Sequence, residues 1–147
     1  MRLAFPLLVI LCAAAAGCRK SDPPPAGFKE ITLPGGQQVY AEVVSQKDMA
    51  RGMMLRASLP PNRAMLFLHL KPGYYPYWMF NVRIPLDIIW MKRDGTIVEI
   101  SPDTPPCLKD ALQCPSYGGH KESQFVLELA GGSAAKWNLR PGQRLKI

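Results

Sequence analysis

Fifteen prolines are spread through the 147-residue chain, from Pro6 to Pro141. Each one fixes φ and removes a backbone donor, so long helices and bundles of them are excluded. Short strands joined by turns are what such a chain can build. Apolar residues make up 48% and charged residues 20%, a balance that fits a globular protein and rules out wholesale disorder. The length leaves room for one ordinary domain.

The first residues read as an address. Met1 and Arg2 precede an apolar run from Leu3 to Ala16. As a helix those residues span about 21 Å, short of the roughly 30 Å hydrocarbon core of a bilayer. A signal sequence over residues 1–17 is therefore expected rather than a permanent span. Ala15-Ala16-Gly17-Cys18 is similar to a bacterial lipobox, in which the cysteine is acylated and becomes the mature N-terminus. Ordinary cleavage after Ala16 is the alternative, because Ala15 stands where leucine is commoner. Residues 18–27, with Pro23, Pro24 and Pro25, read as a stiff extended tether. Residues 28–147 are then a single exported domain of the cell envelope, facing the periplasm or the cell surface and held to a membrane through Cys18.

Cys107 and Cys114 remain in that domain. Thiols outside the cytoplasm tend to oxidise, and this spacing can close a small loop. Six residues intervene, so the pair is not a Cys-x-x-Cys redox motif. A zinc site would need more ligands, and only His120 is near in sequence. A structural disulfide is the leading expectation, with free thiols or zinc as the alternatives.

Without residues 1–17 the chain keeps 17 basic residues against 11 acidic ones. They are scattered rather than gathered in a stripe, and no nucleic-acid-binding module is visible, so a nucleic-acid partner is not expected. In an exported protein the excess positive charge suits anionic headgroups or an envelope polymer, or is simply a solvated surface.

Most of the domain reads as strand. Residues 28–33 and 38–44 flank the turn Pro34-Gly35-Gly36, and 86–91 and 96–100 flank Asp94-Gly95. Further strands are expected at 64–69, 77–80, 125–130 and 145–147. The imperfect alternation of Phe125-Val126-Leu127-Glu128-Leu129 suggests a strand with one face partly covered. Ser45 and Asp48 have the spacing of a variant capping box, predicting a helix of two or three turns that carries Met49 and Met53 on one face. A second short helix is expected at 133–137. The expected fold is mainly β: a compact antiparallel β-sandwich or barrel-like domain with two short helices.

Arg51-Gly52-Met53-Met54, Leu59-Pro60, Ala64-Met65-Leu66-Phe67, Trp78-Met79-Phe80-Asn81, Ile84-Pro85-Leu86-Asp87-Ile88, Val126 to Gly132 and Pro141-Gly142 follow one another in the chain. Together they resemble the family called domain of unknown function 192, over about residues 30–147. Cys107 and Cys114-Pro115-Ser116-Tyr117 resemble an insertion found in some members. The resemblance implies a single, mainly β domain, often exported, without an established activity. Phe80, Val82 and Gln143 depart from the lysine, threonine and aspartate usual in the family, so any chemistry that the lysine or threonine serves there is lost here.

Few residues are placed for chemistry. Asp87 lies among Ile84, Pro85, Leu86, Ile88, Ile89 and Trp90, where a carboxylate is costly unless paired. Arg51 and Arg83 are its possible partners, and Asn81 can satisfy backbone groups nearby. Asp87, Arg51 and Asn81 are thus the catalytic candidates, although internal fastening is the stronger expectation. Tyr74-Tyr75-Pro76-Tyr77-Trp78 is an aromatic run in a loop entering a strand, which nominates Tyr75, Tyr77 and Trp78 as a ligand-stacking surface. Glu128 reads as an outward-facing charge or an anchor for an arginine. His69 and His120 are far apart and lack metalloenzyme spacing, and no nucleophile elbow, phosphate loop or dinucleotide motif is present, so no metal or cofactor is expected. The leading expectation is a lipid-anchored binding or interaction module for an envelope ligand, polymer or protein partner. The rival is a hydrolase-like envelope enzyme centred on Asp87, Arg51 and Asn81.

Overall fold

A computed structural model describes residues 26–147. Cys18, the signal segment and most of the tether lie outside the described residues. Eight strands form: β1 (Phe28–Thr32), β2 (Gln38–Val44), β3 (Arg63–Gly73), β4 (Tyr77–Trp78), β5 (Leu86–Met91), β6 (Ile97–Thr104), β7 (Ser116–Tyr117) and β8 (Ser123–Ala130). One short helix, α1, spans Ser133–Lys136.

Six strands make one sheet in the order β1-β2-β3-β8-β5-β6, and β4 pairs with β7 in a separate ribbon. The mainly β class is as the sequence suggests, but the sheet is open, so the barrel alternative does not apply. Nor is it wholly antiparallel, because β2 and β3 run parallel. Parallel neighbours need a crossover of a dozen or more residues. Here the chain between Val44 and Arg63 supplies it, lying across one face of the sheet.

That crossover is where a helix was expected, and the helix does not form. A single 3-10 turn, Gln46–Asp48, is followed by irregular turns. The Ser45 hydroxyl donates to the Asp48 carboxylate at 2.5 Å, so the two side chains satisfy each other and cap no backbone N–H. Gly52 then adopts φ +42°, with the ring of Phe67 packed beneath it, and Leu55 sits at φ +63°. These left-handed backbones end any helical path. The predicted 145–147 strand is likewise reduced to the isolated bridges Thr32–Lys146 and Thr96–Arg144. At the Asp94-Gly95 turn Gly95 has φ +84°, and a Cβ there would collide with the Leu145 carbonyl, so the turn needs glycine for both reasons.

β5 and β8 occupy the interior of the sheet and are covered on both faces, which is why Leu86–Met91 is buried throughout and β8 does not alternate cleanly. One face packs Ile31, Leu66, Ile89 and Leu127 beneath α1 and the C-terminal segment. The other packs Met65, Phe67, Ile88, Trp90 and Val126 beneath Met53 of the crossover, Met79 and Val82. A disulfide joins Cys107 to Cys114. Serine at both positions is expected to cost about 2.5 kcal/mol on the loop-entropy estimate for so short a loop, read as a lower midpoint in chemical denaturation.

Candidate functional site

The register of the central strands sets two acidic side chains on opposite faces. Ile88 faces Glu128 across the β5–β8 ladder, and Asp87 faces Leu129. Directly opposed residues share a face and successive residues alternate. Glu128 therefore lies under the crossover, and Asp87 lies under α1.

Asp87 is completely buried. Its Oδ1 accepts from the N–H groups of Asp103 (2.6 Å) and Gly132 (3.1 Å), and its Oδ2 from that of Ala134 (2.5 Å). Neither Arg51 nor Arg83 meets it, and both are exposed. The carboxylate thus joins β5 to the end of β6 and to the start of α1, and holds Asp103 at φ +45°. Asn81 lies on the other face at φ +56°, where its carbonyl accepts from Leu55 N–H and its own N–H donates to the Cys107 carbonyl. Asp87 is accordingly separated by the sheet from Arg51 and Asn81, and the three do not share a cavity.

Glu128 is in a different situation. The side chain is 4% exposed, and its Oε2 has no hydrogen-bond partner among the described residues. Burial pushes its pKa up to about 8, against a weaker downward pull from Arg56. Arg56 cannot neutralise it, because its guanidinium is held in a two-pronged pair with Glu42 at 2.7 and 2.8 Å. That pairing lowers the Glu42 pKa. At neutral pH Glu128 is mostly a protonated, uncharged acid.

Glu128 forms the floor of a narrow cleft of about 30 Å³ between the crossover and β4, walled by Arg51, Met53, Phe67, Tyr77 and Trp78 among others. The cleft shares Met49, Ala50, Tyr77 and Trp78 with an open basin of about 250 Å³ that adds His69, Tyr75 and Pro76. It shares Arg51, Gly52 and Met54 with a second basin of about 410 Å³, lined by Glu42, Asp48 and Arg56. The result is a groove running along the crossover with one carboxyl at its base.

The aromatic loop is the rim of this groove, and the sheet holds it rigidly. Trp90 Nε1 donates to the Tyr75 carbonyl at 2.7 Å. The Tyr75 ring stacks on His69 with centroids 3.6 Å apart, and its hydroxyl donates to the Lys71 carbonyl. The Tyr77 hydroxyl lies 3.1 Å from His69 Nε2, while the ring meets Phe67 and Trp90 edge-on. Burial, with a smaller contribution from Glu128, raises the Tyr77 phenol well above its ordinary value. Burial lowers the His69 imidazole. Trp78 remains 41% exposed, leaning on Phe80. Tyr75, Tyr77 and Trp78 are thus brought together, joined by His69 and by Glu128, neither of which sequence reasoning selected. The signal for Glu128 was present: one acid within the apolar run from Phe125 to Ala130.

His120 lies apart from the groove, its Nδ1 2.6 Å from Glu99 on β6. Among the described residues no group of three or more His, Cys, Asp or Glu side chains gathers as metal ligands would.

Comparison places this geometry among known proteins. Residues 30–147 match the family described as DUF192, Uncharacterized ACR. Among curated proteins none matches the chain significantly. A crystal structure of a protein of unknown function from Novosphingobium aromaticivorans DSM 12444 superposes with a TM-score of 0.72 at 26% identity, covering 86% of this chain and 91% of that one. A second, from Sinorhizobium meliloti 1021 and described as a candidate transcription regulator, superposes with a TM-score of 0.69 at 25% identity, covering 86% and 97%.

Proposed function

Given that the chain belongs to the DUF192 family of uncharacterised proteins, we propose that it is a lipid-anchored binding module of the cell envelope, with the groove beside the crossover as its ligand site. The observation that carries this reading is the unpartnered carboxyl of Glu128 at the base of a groove rimmed by Tyr75, Tyr77 and Trp78. A buried polar group left unpaired costs on the order of 1–3 kcal/mol, and a ligand that pairs with it recovers that cost. Partly exposed aromatic rings held by the sheet supply contact area with little entropy left to lose on binding. The sequence features that support export and anchoring are the apolar run Leu3–Ala16, the cysteine at position 18 and the proline tether.

The hydrolase-like alternative loses its centre, since Asp87 is satisfied by backbone N–H groups on the far side of the sheet. The binding reading is tested by native mass spectrometry of the full chain isolated from the envelope in mild detergent. Wild-type protein is expected to carry a bound mass that Trp78→Ala loses while it remains cooperatively folded, because Trp78 is partly exposed and lies outside the fully buried core. Lipid-modified Cys18 adds its own covalent mass, absent in Cys18→Ala. A chain with no bound mass, or one retained equally by Trp78→Ala and Tyr77→Phe, overturns the groove as the ligand site.

A further inference from the structure

The binding role leaves the chemistry of the ligand open, and the base of the groove narrows it. Four observations bear on what sits there. First, the cleft over Glu128 holds about 30 Å³, room for one or two water-sized groups. Second, Oε2 is buried without a partner, and Arg56, whose charge acts on Glu128, is already committed to Glu42. Third, the walls include Met49, Met53, Phe67, Tyr77 and Trp78, which offer ring faces and polarisable sulfurs, with no second acid and one cation, the exposed Arg51. Fourth, the cleft opens on a wider, largely apolar and aromatic basin able to take a chain leading away from the buried group.

We infer that the groove takes a ligand ending in a primary ammonium group, seated on the Glu128 carboxylate with its apolar stem between the crossover and Trp78. An ammonium donates to a carboxylate in the strongest type of hydrogen bond available to either. The aromatic walls add cation–π attraction, which grows when the cation is desolvated. A trimethylated ammonium is too large for the cleft, and a carboxylate or phosphate would meet a like charge once Glu128 ionised. Arg51, exposed at the mouth, is the like charge the ammonium must pass, and solvent screens it. A lysine side chain and an aminoalkyl lipid headgroup share this chemistry.

Binding takes place in two linked steps: Glu128 loses its proton to solvent, and the ammonium replaces it. The groups that face Glu128 are Arg51 and Arg56 from the crossover and Tyr77 from β4, with His69 behind Tyr77. The flanking strand positions opposite it, Met65 and Ile88, carry no charge. The affinity for an ammonium is therefore expected to rise with pH, close to tenfold per unit below pH 8, and to level off until the amine itself deprotonates near 10.

The test, which rests on the binding role proposed above, uses ligand-observed NMR on the full chain with butylammonium, butyltrimethylammonium and butan-1-ol as probes. Butylammonium is expected to bind with that pH profile, the other two at least tenfold more weakly, and Glu128→Gln to lose the preference. N-acetyl-lysine methylamide and phosphoethanolamine, offered separately, tell a protein side chain from a headgroup as the natural source. Should Glu128→Gln fail to fold, the wild-type pH profile decides by itself. Equal binding of butylammonium and butan-1-ol, or a flat profile between pH 6 and 8, overturns the ammonium assignment while leaving the groove a ligand site. No probe binding, with a Trp78-dependent bound mass still present in the envelope-isolated chain, overturns the assignment alone. Loss of both removes the binding role as well.

Discussion

Glu128→Gln is expected to leave the protein more stable than wild type at pH 8 and to abolish most of the difference at pH 5. The unfolded carboxyl titrates near 4.5, while burial pushes the folded one up to about 8. Between those values the folded chain holds a proton that the unfolded chain has released. Stability conferred by the protonated form is complete below the unfolded value and is lost as pH rises through the folded one. Each pH unit inside that window is worth about 1.4 kcal/mol, so the wild type loses roughly 3–4 kcal/mol from this group between pH 5 and 8. Glutamine has nearly the same shape and does not ionise. His69 acts in the opposite sense. Burial lowers its value below 6.5, so the stability of its neutral form is present above that pH and lost as pH falls beneath it. Wild-type stability should thus fall most clearly between pH 6.5 and 8, where His69 no longer offsets the carboxyl, and the difference between wild type and Glu128→Gln isolates the carboxyl. Urea titrations at half-unit pH intervals measure both, and parallel curves for the two proteins would refute the buried, unpaired state of Glu128.

The second large effect is expected at Asp87, for the contrary reason. Its carboxylate is fully satisfied by three backbone N–H groups, from Asp103, Gly132 and Ala134. Hydrogen bonds to a charged acceptor contribute about 1.5–3 kcal/mol each, and a buried donor stripped of its partner carries its own desolvation cost. Asp87→Asn turns a donor toward at least one of those N–H groups, so a loss of about 3–5 kcal/mol is expected. The damage should be local at first, with amide exchange of Gly132 and Ala134 accelerating as α1 loosens from the sheet. A stable Asp87→Asn protein that had lost its ligand or an activity would instead restore a chemical role to this residue.

These two acids mark what a linear reading reaches. Both stand alone in apolar runs, and the cost of burying a carboxylate drew attention to Asp87. The sequence offers it Arg51 and Arg83 as possible partners. The actual partners are backbone donors brought from positions 103, 132 and 134, which no side-chain pattern displays. For Glu128 the sequence suggests an outward-facing charge or an anchor for an arginine, because one polar residue in a half-covered strand normally points to water or to a partner charge. It is buried because β8 is a central strand with both faces covered, a fact that depends on β3 and β5 lying on either side.

The aromatic rim shows the same division. The run from Tyr74 to Trp78 stands out in the sequence, and Tyr75, Tyr77 and Trp78 do line one basin. His69, stacked on Tyr75 and bonded to Tyr77, gave no sequence signal of its own, because it reaches them through the bend after β3.

Residues close together in the chain therefore decided the strands, the glycine turn at Gly95, the short loop closed by Cys107 and Cys114, and the exclusion of a helical bundle. Those properties follow from local backbone sterics and side-chain alternation, which act over a few residues. Tertiary structure alone decided the parallel β2–β3 pair, the unwinding of residues 45–55 into a crossover, and the burial of Glu128 beneath it. Whether a charge meets water, an arginine or nothing depends on segments distant in the chain, and desolvation is a property of the space around a group rather than of its neighbours in the chain.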